Sequence, residues 1–278
     1  MICEKIQIEI PGEKGTAQLY TYFLDSSPEI DEERIRPVIV ICPGGGYRKT
    51  SDREAEPVAM QFLAMGYHAV ILRYSVAPAE YPTALLQLAW TVYWLKEHAS
   101  VYHIDKRRIV LQGFSAGAHL ASCLGVFWNR LFLRERLQIQ EAEMLRPAGM
   151  ILSYPVITSG EKAHRDSFDK LLGVRSRDPR LLELLSLEKQ VSEDTPPVFL
   201  WHTQTDPTVP VENSLLFYQA LLAHGVSAEM HLYPVGGHGL SLASEETINT
   251  RGYGVQVQCQ SWIRLAGDWM RQTLFPEN

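Results

Sequence analysis

The sequence predicts an α/β fold with a mostly parallel central sheet, antiparallel edge strands at the N-terminal side and helices on both faces. Three observations carry this. Short apolar runs rich in β-branched residues, such as Val38-Ile39-Val40-Ile41-Cys42, alternate with segments whose apolar residues recur at helical spacing. The first residues instead alternate apolar and polar and turn at Pro11-Gly12, which reads as an antiparallel hairpin. Helix punctuation then falls between the later runs, with Pro82 near one helix start and Gly66 and Gly225 at two helix stops.

Taken in order, the hairpin strands are expected over 6–10 and 16–23, followed by an acidic, polar loop over 25–36. Pro37 opens the run at 38–42, which is too short for a helix and stops at Pro43-Gly44-Gly45-Gly46-Tyr47. Further strands are expected at 68–74, 108–113, 149–154, 198–202 and 228–233. Helices fit at 53–65, 81–99, 116–128 and 212–224, with a last one at 265–274. Residues 157–197 break the rhythm with charge clusters and the short patterns Leu181-Leu182 and Leu184-Leu185. They are expected to form a small helical insertion, a lid or pocket wall over the strand ends, where open α/β sheets bind ligands. The 278 residues thus read as one α/β domain, 1–278, with that insertion inside it.

Composition narrows the function. A 46% hydrophobic content suits a soluble globular chain, and a formal net charge of -6 without a basic stripe argues against a nucleic-acid partner. No apolar run approaches the roughly 20 residues a membrane-spanning helix needs, so no membrane partner is expected. The opening Met1-Ile2-Cys3-Glu4-Lys5 lacks the features of a secretory signal, and the expected location is cytoplasmic. Cys3, Cys42, Cys123 and Cys259 show no metal-ligand spacing and read as reduced thiols. The edge strand at the N-terminus and the C-terminal helix are the candidate surfaces for a homodimer.

The strongest chemical motif is Gly113-Phe114-Ser115-Ala116-Gly117, placed between a strand and a helix. G-x-S-x-G in that setting is a nucleophile elbow, a turn tight enough to need small residues at both ends and to push the serine oxygen into the open. Serine needs a base, and the base needs an orienting acid, in the chain order serine, acid, histidine. Of nine histidines, His238 in Gly236-Gly237-His238-Gly239 lies just past the last strand and suits a loop that brings an imidazole close to other backbone. His202 and His231 fall inside strands, while His68, His98, His103 and His224 sit at element ends or on helix surfaces, so these six read as structural or surface histidines. His119 is expected to pack, and His164 lies in the insertion. Asp206 follows the strand at 198–202 and is stiffened by Pro207 and Pro210, whereas Asp194 precedes that strand and reads as a surface or capping residue. The glycine loop after the strand at 38–42 is the candidate oxyanion hole, with amides from Gly45 and Gly46 joined by that of Ala116.

These elements, together with Leu72-Arg73-Tyr74-Ser75-Val76-Ala77-Pro78, resemble the esterase/lipase families of the α/β-hydrolase fold. The chain is similar to their bacterial acetyl-xylan-esterase-like branch, with its feruloyl esterase and carboxylesterase members. Pro43 stands where many relatives carry histidine. The resemblance runs from Val38 onward and implies hydrolysis of short acyl esters, acetyl esters of imported xylo-oligosaccharides in particular, through an acyl-enzyme on Ser115. It implies a small-molecule ester substrate and neither a metal nor an organic cofactor. Tyr47 is the candidate substrate-binding residue, with packing beneath the glycine loop as the alternative. The competing readings are a serine peptidase or an amidase resembling arylformamidases, a long-chain lipase, and a non-catalytic binding protein of the same fold.

Overall fold

The computed structural model describes residues 1–276. Strands β1 (Lys5–Glu9) and β2 (Thr16–Tyr22) pair antiparallel, with Ile8 opposite Ala17. Then come β3 (Arg36–Cys42), β4 (His68–Arg73), β5 (Ile104–Phe114), β6 (Gly149–Ser153), β7 (Val198–Thr203) and β8 (Ala228–Tyr233). All eight form one sheet in the order β1-β2-β4-β3-β5-β6-β7-β8, antiparallel at β1–β2 and β2–β4 and parallel from β4 to β8. β5 is longer than its 108–113 run predicts. Ile104 already pairs with Arg36, and a register shift then sets Ile109 opposite Val38.

Both faces of the parallel strands are covered, which explains their unbroken apolar runs. On β3, Val38, Val40 and Cys42 enter one core with helices α2 (Thr83–Glu97), α3 (Ala116–Phe127) and α7 (Glu212–Ala223). Ile39 and Ile41 enter the other, with α1 (Glu56–Ala64) and α8 (Trp262–Trp269). In the second core the indoles of Trp201 and Trp262 stack with centroids 5.4 Å apart, both fully buried. Each large apolar side chain buried in this way contributes about 1.5–3 kcal/mol.

The predicted 53–65 helix is divided. Asp52–Glu54 form a single 3-10 turn, and α1 begins only at Glu56, with Pro57 in its first turn. The last helix starts earlier than the 265–274 pattern suggests and runs into a π-helical turn at Met270–Leu274. One helix was not foreseen, α4 (Leu131–Leu137), whose single buried residue, Leu133, leaves little periodic signal. Residues 157–197, which connect β6 to β7, hold α5 (Arg165–Leu172), α6 (Pro179–Leu184) and two short 3-10 turns. Asp178 caps α6 by accepting from the amides of Arg180 and Leu181. No helix among the described residues is long and apolar enough to cross a membrane.

Candidate active site

Ser115 lies between β5 and α3 with φ 52° and ψ -117°, a strained conformation for a side-chain-bearing residue that costs on the order of 1–3 kcal/mol. The neighbours over-determine it. The Ser115 amide donates to the Ser153 carbonyl at 3.0 Å, and its carbonyl accepts from Val156 at 3.2 Å. The two motif glycines are required by space: a Cβ on Gly117 would stand 2.1 Å from the Cys42 carbonyl oxygen, and one on Gly113 2.4 Å from the Ala118 Cα.

Sequence distance collapses here. The Ser115 hydroxyl meets His238 Nε2 at 2.7 Å, and His238 Nδ1 meets Asp206 Oδ2 at 2.7 Å. The carboxylate is fully buried, and the imidazole is partly exposed. Asp206 Oδ1 accepts from the Thr208 and Val209 amides at 2.8 and 3.0 Å, so the loop made rigid by Pro207 and Pro210 aims the other oxygen at the imidazole. Burial pushes the Asp206 pKa up, but hydrogen bonds from His202 and His238 outweigh it and hold the group well below the usual carboxylate range. With Nδ1–H donating to this fixed anion, Nε2 presents its lone pair to the serine. Such a chain lets an imidazole take the serine proton as the oxygen attacks an electrophilic carbon.

The histidine loop is pinned by residues the sequence did not single out. Thr203 and Thr205 donate to the Gly236 carbonyl, both at 2.9 Å, and Tyr253 donates to the His238 carbonyl at 2.7 Å. His202, read as structural from its strand position, gives Asp206 a second donor at 3.2 Å. Asp194 lies at the surface against Asn129, as its position before β7 suggests.

The glycine loop lies beside Ser115. The Gly44 amide is taken by Glu54 Oε2 at 2.8 Å. Those of Gly45 and Gly46 donate to no backbone acceptor among the described residues. They stand at the edge of a cavity of about 460 Å³ that opens over Ser115 and His238 and is also lined by Arg48, Lys49, His164 and Asp166. Ala116 begins α3, where the amides of a first turn lack intrahelical partners. Arg48 Nε donates to Asp166 Oδ2 at 2.8 Å, which ties the glycine loop to α5 of the 157–197 segment. His164 reaches the cavity from the same segment, and burial together with the nearby His238 pushes its pKa down.

Tyr47 corrects an expectation. Its side chain is buried beneath the loop, its hydroxyl meets His119 Nδ1 at 3.0 Å, and its ring lines a separate small void with Val156 and Phe168. It is not part of the cavity wall at Ser115, because its backbone, at φ 57°, turns the ring inward toward α3. His119 packs there, as expected. Among the described residues no cluster of three or more His, Cys, Asp or Glu side chains is placed to hold a metal ion.

With this geometry established, comparisons with known proteins give the family. The family model described as BD-FAE matches residues 26–221. An endo-1,4-beta-xylanase B of Butyrivibrio fibrisolvens is 38% identical over 76% of this chain and 33% of its own. Among solved structures, an acetyl ester-xyloside bifunctional hydrolase from Caldicellulosiruptor lactoaceticus superposes with a TM-score of 0.80 at 36% identity, covering 96% of this chain and 92% of that one. The carboxylesterase Cest-2923 from Lactobacillus plantarum WCFS1 does so with a TM-score of 0.87 at 33% identity over the full length of both. The chain spans between a third and about half the length of the curated relatives it matches. By this match the chain belongs to the BD-FAE family, and it shares the α/β-hydrolase fold of its solved carboxylesterase relatives.

Proposed function

We propose that this chain is a serine carboxylesterase acting on short-chain acyl esters, acetyl esters of xylo-oligosaccharides foremost. The observation that carries the reading is the unbroken path from the Ser115 hydroxyl through His238 to buried Asp206, with both contacts at 2.7 Å. Ser115 Oγ attacks the ester carbonyl carbon while its proton passes to His238 Nε2. The carbonyl oxygen, now an anion, is received by the amides of Gly45, Gly46 and Ala116. The tetrahedral species collapses by breaking the bond to the alcohol oxygen, which leaves with the proton from His238. Water then attacks the acyl-enzyme, His238 takes a proton from it, and the carboxylic acid departs as Ser115 recovers its own.

The cavity supports small, polar substrates. Its wall carries Arg48, Lys49, Asp166, Thr208 and Asn249 and, among the described residues, no aliphatic side chain and no Phe, Tyr or Trp, which places polar groups beside the alcohol of a small ester. Helix α5, tied to the glycine loop by Arg48 and Asp166, serves as the pocket wall. The acetyl ester-xyloside hydrolase among the structural relatives points to the same substrate class. The test is hydrolysis of p-nitrophenyl acetate, butyrate and octanoate beside acetylated xylo-oligosaccharides, each with Ser115→Ala as control. Serine-dependent turnover that falls with chain length is expected. Turnover of amides or acyl-peptides with none of acetyl esters would replace this reading with an amidase or peptidase.

A further inference from the structure

Glu54 is a fully buried carboxylate in the wall of the cavity, and the proposed reaction gives it no task. It forms no salt bridge among the described residues. The adjacent Arg53 guanidinium is turned elsewhere, its Nη1 donating to the Gly239 carbonyl at 2.9 Å and its Nε to that of Thr247. Two donors converge on the carboxylate instead. The Gly44 amide reaches Oε2 at 2.8 Å, and the Tyr154 hydroxyl reaches Oε1 at 2.7 Å.

Those donors belong to opposite sides of the site. Gly44 is part of the glycine loop, so close to the nucleophile that a Cβ there would stand 3.0 Å from Ser115 Cβ. Tyr154 directly follows β6, accepts from the Ser241 amide at 2.9 Å, and sets its ring edge-on to His238 with centroids 5.1 Å apart. Glu54 therefore joins the oxyanion side to the histidine side through one residue. A side chain serving packing alone would be apolar here, since burying an unpaired carboxylate is costly.

We infer that Glu54 is a positioning residue of the hydrolytic site: it fixes the glycine loop through the Gly44 amide, and its charge favours the imidazolium that His238 becomes on accepting the serine proton. The inference rests on the hydrolase reading above. Both carboxylate oxygens accept hydrogen bonds, an arrangement that suits the ionised form. Burial is the largest influence and leaves the Glu54 pKa above the usual carboxylate value, although the hydrogen bonds from Tyr154 and Gly44 and the charges of His238 and Arg53 pull it down. The groups facing His238 are Asp206 on one side, with His202 behind it, Glu54 and Tyr154 on another, His164 across the cavity and Tyr253 at its backbone.

Glu54→Gln separates charge from shape, because the amide can still accept from Gly44 and donate toward Tyr154. The experiment measures kcat, KM and the pH profile for p-nitrophenyl acetate. Alongside, it measures the rate at which a fluorophosphonate probe labels Ser115, a readout that needs no ester substrate. Thermal unfolding reports the folded fraction of each variant. Glu54→Gln is expected to lose about tenfold in kcat and in labelling rate, with KM unchanged. Its acid limb should move to lower pH by about half a unit or more, since losing a nearby anion makes protonating the imidazole harder. Glu54→Ala, which also frees the glycine loop, should lose about 100-fold. Wild-type kcat, labelling rate and acid limb in Glu54→Gln would overturn the inference. A wild-type chain that labels at Ser115 but cleaves no ester would overturn the esterase reading and leave the labelling rates to decide the role of Glu54. A wild-type chain that neither labels nor turns over would overturn both.

Discussion

In an Asp206→Asn variant the surroundings would hold the new amide in one orientation. The Thr208 and Val209 amides both donate to Oδ1, at 2.8 and 3.0 Å, so the amide oxygen must take that place. Its NH2 then faces His238 Nδ1 and His202 Nε2, where both imidazoles now donate to Oδ2. His202 keeps a second acceptor, the Val209 carbonyl at 3.1 Å, and stays as it is. His238 has none, and turns its Nδ1 lone pair to the new NH2, leaving the proton on Nε2 and facing Ser115. That tautomer cannot accept the serine proton. The expected loss is about 10⁴-fold in kcat at neutral pH, about 5 kcal/mol of barrier. The unpaired contact at His202 costs about 1–3 kcal/mol of stability, small enough for the chain to stay folded. The assay is p-nitrophenyl acetate hydrolysis by the purified variant, with thermal unfolding run in parallel. A folded variant within tenfold of wild-type kcat would refute the assignment of Asp206 as the group that sets the tautomer.

Three further outcomes are expected. Gly117→Ala places a methyl group 2.1 Å from the Cys42 carbonyl oxygen, and because the obstacle is backbone, the elbow must shift; a stability loss of about 3 kcal/mol and a large fall in kcat should appear in denaturant titration and kinetics. Asp166→Ala frees Arg48 and loosens α5 from the glycine loop, so KM for a xylo-oligosaccharide ester should rise severalfold with kcat nearly kept; an unchanged KM would mean that α5 does not shape the pocket. His68 and His119 are buried, and burial lowers their pKa from 6.5 to about 4. The unfolded chain therefore binds more protons between those values, and stability that is complete above pH 6.5 should fall toward pH 4 by about 3 kcal/mol per histidine, read as a falling thermal midpoint; a flat profile would contradict it.

The parts of the site legible in the sequence were those whose chemistry demands particular residues at particular places along the chain. The elbow needs glycines at 113 and 117, and the acid and base must follow β7 and β8 because those strand ends converge on Ser115. Glu54 carried no such mark. It sits in Asp52-Arg53-Glu54, where two acids and a base at the start of an amphipathic run look like a solvated first turn. Only the 3-10 turn ahead of α1 rotates it into the interior. Tyr47 misled in the opposite way. Its place after three glycines suggested the pocket, but a positive φ turns the ring away, and one-dimensional spacing does not report that sign. Thr203, Thr205 and Tyr253 hold the histidine loop from segments far along the chain, so their contacts depend on tertiary closure alone. Helix ends were blurred where capping signals were weak, as at α8, and α4 escaped because it buries a single leucine.

The most direct test of the central claim is to trap the acyl-enzyme. The chain is mixed with p-nitrophenyl acetate, quenched in acid within the first turnovers, digested, and its peptides are weighed by mass spectrometry. One acetyl group is expected on the peptide containing Ser115, absent after the same treatment of Ser115→Ala. Acetyl ester turnover that leaves Ser115 unmodified, or that continues in Ser115→Ala, would contradict it.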